Sequence, residues 1–193
     1  MKNILFITTR NPHSGRFSGD VIGSLKIIKF LKKEYLVDVI SLGSEKSNSN
    51  KKIIFFSGPN YFFKIIYIFI SLIKLKPLQF GLFFSKKMKT HIENNAKKYD
   101  LLFFYHIRSS QYLPKNYEGK TVLEMGDLYS SNYYQTFCNL SLFNPLKYIY
   151  LLESFLVKRI ENNIFFSFNK IILFSKSEIK KTNRIFRKKI FNV

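Results

Sequence analysis

Six short runs rich in Ile, Leu, Phe and Val punctuate this chain, and none of them alternates apolar with polar residues. They are Asn3–Thr8, Val37–Leu42, Lys52–Phe56, Asp100–Tyr105, Thr121–Glu124 and Lys170–Phe174. A strand that is apolar on both sides must be covered on both faces, which is the condition of a parallel sheet. Helical stripes lie between the runs: Val21, Leu25, Ile28 and Leu31 form one, and Phe84, Met88, Ile92 and Ala96 another. Strands alternating with helices predict an α/β fold, a doubly wound, Rossmann-like parallel sheet with ligand chemistry at the carboxyl ends of its strands. At 193 residues, the chain is read as one domain with a real core.

The first run feeds a loop, NPHSGRFSG, that opens directly onto the helical stretch DVIGSLKIIKFLKKEY. Glycines let a ligand approach the backbone closely, and free N–H groups at a helix start attract anions. Gly15 and Gly19 stand four apart, which fits neither the dinucleotide fingerprint nor the P-loop. Two readings stand: an anion site, or an ordinary turn between strand and helix.

Apolar residues make up 46% of the chain, which excludes a disordered protein, and 22 Phe with 12 Tyr supply bulk for burial. The lone cysteine, Cys138, allows no internal disulfide and suits a reducing compartment. The first apolar run is too short for the core of a signal peptide. Net charge is +20, from 32 Lys and Arg against 12 Asp and Glu. Such a balance fits an anionic membrane, a polyanionic substrate or nucleic acid. It equally fits a composition rich in Lys, Asn, Ile and Phe throughout. Nucleic acid has no motif behind it, neither aromatic RNA-binding signature nor helix-turn-helix, and is disfavoured as a partner.

The segment YFFKIIYIFISLIKL, Tyr61–Leu75, is strongly apolar but holds Lys64 and Lys74. A spanning helix needs about 20 apolar residues. The segment is therefore either a core helix or one lying in a membrane interface, with Lys64, Lys74 and Lys76 near the headgroups. The basic stretch Lys176–Val193 reads as a terminal helix with a solvated or lipid-facing side.

Several residues at strand ends can carry chemistry. The fourth run ends in His106, whose neutral imidazole can take a proton from a hydroxyl or hydrogen-bond a sugar oxygen, and in Arg108, a planar fork for phosphate or carboxylate. The fifth delivers Glu124, Asp127 and Ser130, able to bind hydroxyls, orient a base or hold a cation. Loop residues of purely structural role explain the same pattern. His13, His91, His106 and Cys138 have no metal-ligand spacing, so no metal is expected. Neither a GxSxG elbow nor a Cys–His signature is present. A long helix begins at Asn144–Pro145, with a stripe of Leu146, Ile149, Leu156, Ile160 and Ile164. Glu153 falls inside that stripe; a carboxylate there needs a partner such as Arg159, or faces a cleft.

Five stretches, in order, are ILFITTRNPHSGRFSGD, YDLLFFYHIRSSQYL, TVLEMGDLYSS, YLLESFLVKRIE and FNKIILFSKSE. Together they resemble the N-terminal, acceptor-side domain of GT-B glycosyltransferases, above all the retaining glycosyl transferases group 1 (family 4). The resemblance implies the N-terminal half of a GT-B fold, with residues 1–193 as the acceptor-binding domain. His106 and Asp127 would belong to the reacting centre. Gly15, Arg16, Gly19, Arg108, Glu124 and Ser130 would surround the substrate and its diphosphate, and Glu153 and Glu161 would match acids of the long helix. It implies no cofactor, the nucleotide-sugar donor being a substrate held by a second domain with an E-x7-E pattern, which is expected to lie outside this chain. The partner would be a glycan or lipid-linked acceptor at the cytoplasmic face of the membrane, and the chain a truncated or split enzyme without activity alone. The competing class is a non-catalytic basic α/β module that docks on anionic membrane or nucleic acid.

Overall fold

The computed structural model describes residues 1–14, 18–43, 53–182 and 184–192. Gly15 and Arg16, and most of the polar loop 43–51, lie outside the described residues. The strands are β1 (Asn3–Thr8), β2 (Leu36–Leu42), β3 (Ile53–Phe56), β4 (Leu101–Tyr105), β5 (Lys120–Gly126), β6 (Lys170–Leu173) and β7 (Ile190–Asn192). All pair in parallel, in the order β3-β2-β1-β4-β5-β6-β7. The molecule is therefore an open, all-parallel, Rossmann-like α/β domain, as the unalternating runs predict.

Among the described residues, seven α-helices join the strands: α1 (Gly19–Leu31), α2 (Tyr61–Ile73), α3 (Leu78–Leu82), α4 (Lys86–Asn95), α5 (Tyr129–Asn139), α6 (Pro145–Ser167) and α7 (Lys176–Lys181). Successive side chains of a strand point to opposite faces. Leu5, Ile7, Ile40, Leu102, Phe104, Leu123 and Ile171 thus meet Met88 and Ile92 of α4 and Val157, Ile164 and Phe165 of α6. The alternate set, Ile4, Phe6, Val37, Val39, Phe103 and Tyr105, packs on Ile28 of α1. Right-handed crossovers explain the split, because the chain winds one way from β1 to β2 and the other way from β3 to β7. On the second face α1 covers β1 and its neighbours, while Val122 and Ile172 stay half-buried. That asymmetry leaves a trough beside α1.

Three expectations are corrected. The basic C-terminal stretch is not one helix: α7 gives way to a 3₁₀ turn, Arg184–Lys189, and then to edge strand β7. α6 starts at the expected cap, with the Asn144 side chain accepting from the Leu146 N–H at 3.0 Å. Its first turns, however, point outward, leaving Leu146 and Ile149 exposed. Glu153 pairs with backbone rather than Arg159: its Oε1 accepts from the Gln79 N–H at 3.2 Å, in the first turn of α3. That bond satisfies one orphan N–H of α3, while Glu153 Oε2 stays buried without a partner among the described residues and burial raises the carboxyl above its usual range.

Candidate active site

The chain leaves β1 toward β2 on one side, whereas β4 lies on the other, so the sheet switches direction between β1 and β4. Open α/β sheets bind ligands at such a point, outside the carboxyl ends of the strands. Here α1, the ends of β4 and β5 and the start of α5 enclose a cavity of about 860 Å³. Asp20, His106, Glu124, Asp127 and Tyr129 supply its polar lining, and Ile27, Phe30, Phe103 and Ile172 are among its apolar lining.

His106 follows β4 directly and adopts φ 65°, ψ 151°. That backbone region is essentially reserved for glycine, and a side chain held there costs on the order of 1–3 kcal/mol. Hydrogen bonds hold its backbone in place, the Ser109 hydroxyl donating to its carbonyl at 2.7 Å among them. Its N–H donates to the Glu124 carbonyl at 2.8 Å, and its carbonyl accepts from the Ser109 N–H at 3.0 Å. The imidazole Nδ1 lies 2.7 Å from the Tyr129 hydroxyl. Burial, and then the Arg108 charge, push His106 down to about 4, so the ring is neutral near pH 7. The neutral ring either accepts from Tyr129 at Nδ1 and carries its proton on Nε2, or donates from Nδ1 and leaves Nε2 as an acceptor.

Glu124, at 1% exposure, sits on β5 and lines the same cavity. Burial raises its carboxyl to about 7; the His106 backbone N–H opposes the shift and the charge on Asp127 adds to it. A carboxyl poised there can give or take a proton at neutral pH. Just beyond it the pairing of β5 with β6 slips by one residue between Glu124 and Gly126. Gly126 takes φ 72°, which no side chain tolerates well, and the bulge turns exposed Asp127 onto the cavity rim.

Asp20, in the first turn of α1, forms an ion pair with Arg10 and lies 4.0 Å from Arg108 Nη2. Burial would raise its pKa, but its own backbone N–H and Arg10 outweigh that, and the carboxyl stays below its usual range. The buried Arg108 guanidinium stacks on Phe83, 4.5 Å from the ring centroid. Five buried side-chain polar atoms are without a hydrogen-bond partner among the described residues, and two of them, His106 Nε2 and Glu124 Oε2, belong to side chains that line this cavity; Gln79 Nε2, Glu153 Oε2 and Arg108 Nε are the others. Orphaned buried polar atoms are uncommon in native proteins, and a cluster of them marks a place that a ligand completes.

The sequence-derived set is thus partly brought together. His106, Glu124, Asp127 and Gly19 line one cavity, and Arg108 joins through Asp20. In front of Gly19 the space is open, since a Cβ there would meet nothing within 4 Å. Ser130 is the correction. Its hydroxyl donates to Glu161 Oε2 at 2.5 Å and its N–H donates to Oε1 at 3.0 Å, so it ties α5 to α6 instead of facing the cleft. Glu161, fully buried, therefore closes the start of α5 as Glu153 closes that of α3. Ser130→Ala is expected to leave one carboxylate oxygen of Glu161 unpaired, lowering stability by about 1–3 kcal/mol without altering ligand affinity at the cavity. A melting curve beside a binding isotherm checks both halves of that statement.

Asp20 and Tyr129 escaped sequence reasoning. An acid in a first helical turn and a tyrosine after a strand carry no distinguishing spacing; only the fold sets them beside Arg108 and His106. Among the described residues no group of three or more His, Cys, Asp or Glu side chains could hold a metal ion.

No protein-family model matches the chain, and no curated protein matches it. Among solved structures it is similar to an alpha-glucosyltransferase in complex with UDP and a 13-mer DNA containing a central A:G mismatch. Identity is 12% and the TM-score 0.45, over 100% of this chain and 40% of that one. The chain thus spans less than half the length of that enzyme.

Proposed function

We propose that this chain is the acceptor side of a nucleotide-sugar-dependent glycosyltransferase of GT-B type. The observation that carries the reading is the pair of orphaned buried atoms, His106 Nε2 and Glu124 Oε2, on side chains that line one cavity at the switch point of a parallel sheet. A sugar presents several hydroxyl groups at once, each both donor and acceptor, and so answers a neutral imidazole and a carboxyl poised near 7 together. Asp127, on the rim, takes a further hydroxyl. Arg108 and Arg10 add positive charge beside the α1 N-terminus, where a leaving diphosphate would be stabilised. The apolar lining of Ile27, Phe30, Phe103 and Ile172 suits the lipid of a lipid-linked acceptor. The donor would be held by a second domain, with retention of configuration and membership of family 4 resting on the sequence resemblance alone.

Acceptor binding needs no donor domain, so the purified chain suffices for a test. Titration with alkyl glycosides of increasing chain length, followed by NMR shifts at His106 and Gly126, is expected to show saturable binding that tightens with chain length. Glu124→Ala is expected to weaken it about tenfold or more, the cost of removing a hydrogen bond to an ionisable group. Shifts that never saturate, or that are indifferent to Glu124→Ala, would sink the proposal.

A further inference from the structure

α2 is built inside out. Wound at 3.6 residues per turn, its outer arc consists of Phe62, Ile65, Phe69, Ile70 and Ile73. Ser71 is its one buried residue, and Lys64 lies on the half-buried side. A helix on a soluble domain normally shows the reverse, with its apolar stripe inward. The exposure is large: 68% for Phe62, 61% for Phe69 and 82% for Ile73. The geometry is held firmly by α3, whose Gly81 packs so close that a Cβ there would sit 2.5 Å from the Tyr67 carbonyl oxygen. Tyr67 also meets Phe84 edge-on, with ring centroids 4.9 Å apart. The outer arc is thus a fixed surface.

Its borders are uniformly cationic. Between residues 53 and 92 the sequence has no Asp or Glu, but it has Lys64, Lys74, Lys76, Lys86, Lys87 and Lys89. Lys74 and Lys76 follow α2 at once and are exposed. Lys86 and Lys87 open α4 and line a groove shared with Phe63 and Tyr67. Partial burial, and then the charges of Lys89, Lys74 and Lys115, depress the pKa of Lys76. Lys89 alone of the six has an acid near it among the described residues, Glu93 at 4.0 Å.

We propose that this face docks on an anionic lipid surface, with the Phe62–Phe69–Ile73 arc in the headgroup boundary and the flanking lysines on lipid phosphates. A helix of 13 residues is about 20 Å long and lies flat rather than crossing. No helix among the described residues is long and apolar enough to cross a membrane. The charge pattern selects the occupant. A second copy joined by a two-fold axis would set like lysines against like. Nucleic acid would leave the aliphatic Ile65, Ile70 and Ile73 without a favourable partner. An anionic bilayer satisfies arc and rim together.

Vesicle flotation of the purified chain tests this inference and does not depend on the sugar-transfer reading. Vesicles of phosphatidylcholine with 30% phosphatidylglycerol are expected to bind the chain at least tenfold better at low salt than vesicles of phosphatidylcholine alone. The triple variant Phe62→Ser, Phe69→Ser, Ile73→Ser is expected to lose tenfold or more on the anionic vesicles while melting at an unchanged temperature, because these side chains are exposed. Lys74→Glu with Lys76→Glu is expected to weaken binding to anionic vesicles only. Equal recovery on the two vesicle types would overturn the proposal. So would a wild-type dimer in sedimentation that the triple variant converts to monomer without any vesicle binding, which would give the face to a second copy.

Discussion

Replacing His106 by alanine, with the donor-binding domain supplied and an acceptor present, is expected to cut sugar transfer by roughly 10²–10⁴-fold, the range for a positioned polar or acid–base group. His106→Gly should lose as much, because it also lacks the imidazole. The two variants should separate in stability. At an ordinary position glycine is the less stable by about 0.5–1 kcal/mol, since its unfolded chain has more freedom to lose. At φ 65°, ψ 151° the order is expected to invert, because glycine alone escapes the strain of that backbone region. Initial rates and thermal melts of both variants give the answer. A glycine variant less stable than alanine would mean the backbone is not strained there. Transfer undiminished in either would remove His106 from the reacting centre.

Glu124→Gln is expected to change how stability responds to pH. The carboxyl moves from an ordinary 4.5 to about 7 on folding, with burial as the main cause. Below 4.5 both folded and unfolded chains hold the proton. Between there and about 7 only the folded chain does, so stability falls as pH rises through that window, by ~3 kcal/mol in total. His106 works in the opposite sense. Its pKa drops from 6.5 to about 4 on folding, so its contribution is present above 6.5 and is lost as pH falls toward 4. In the wild-type chain the two slopes oppose each other and flatten the profile between about 4.5 and 6.5. Glu124→Gln should therefore uncover a stability that climbs with pH across that interval, and should be the more stable protein at pH 8. Denaturant melts at half-unit pH steps measure this. A variant with the wild-type profile would show that Glu124 ionises normally.

Six strands, β1 to β6, and through them the fold, were legible in the residues alone. Runs such as ILFI and LLFFY have no polar alternation, so no arrangement but a sheet covered on both faces buries them. His106, Arg108, Glu124 and Asp127 were legible for the same reason: residues just past a parallel strand must lie at its carboxyl edge. Strand β7 was not legible, since its three pairing residues, Ile190–Asn192, only close a basic stretch that reads as a charged helix until β6 offers an edge. Nor were the fates of the acids. Glu161 and Glu124 are alike in sequence, yet only packing ties both oxygens of Glu161 to Ser130 at the start of α5 and leaves Glu124 Oε2 in the cavity without a partner among the described residues. The strain at His106, and its pairing with Tyr129, likewise arise from contacts between residues far apart in sequence. For α2, periodicity was silent because nearly every position is apolar. The burial of Ser71 and the exposure of Phe62 and Ile73 fixed its orientation. Local sequence sets which residues must leave water; tertiary packing sets which of them cannot, because a single sheet has only so much face to offer.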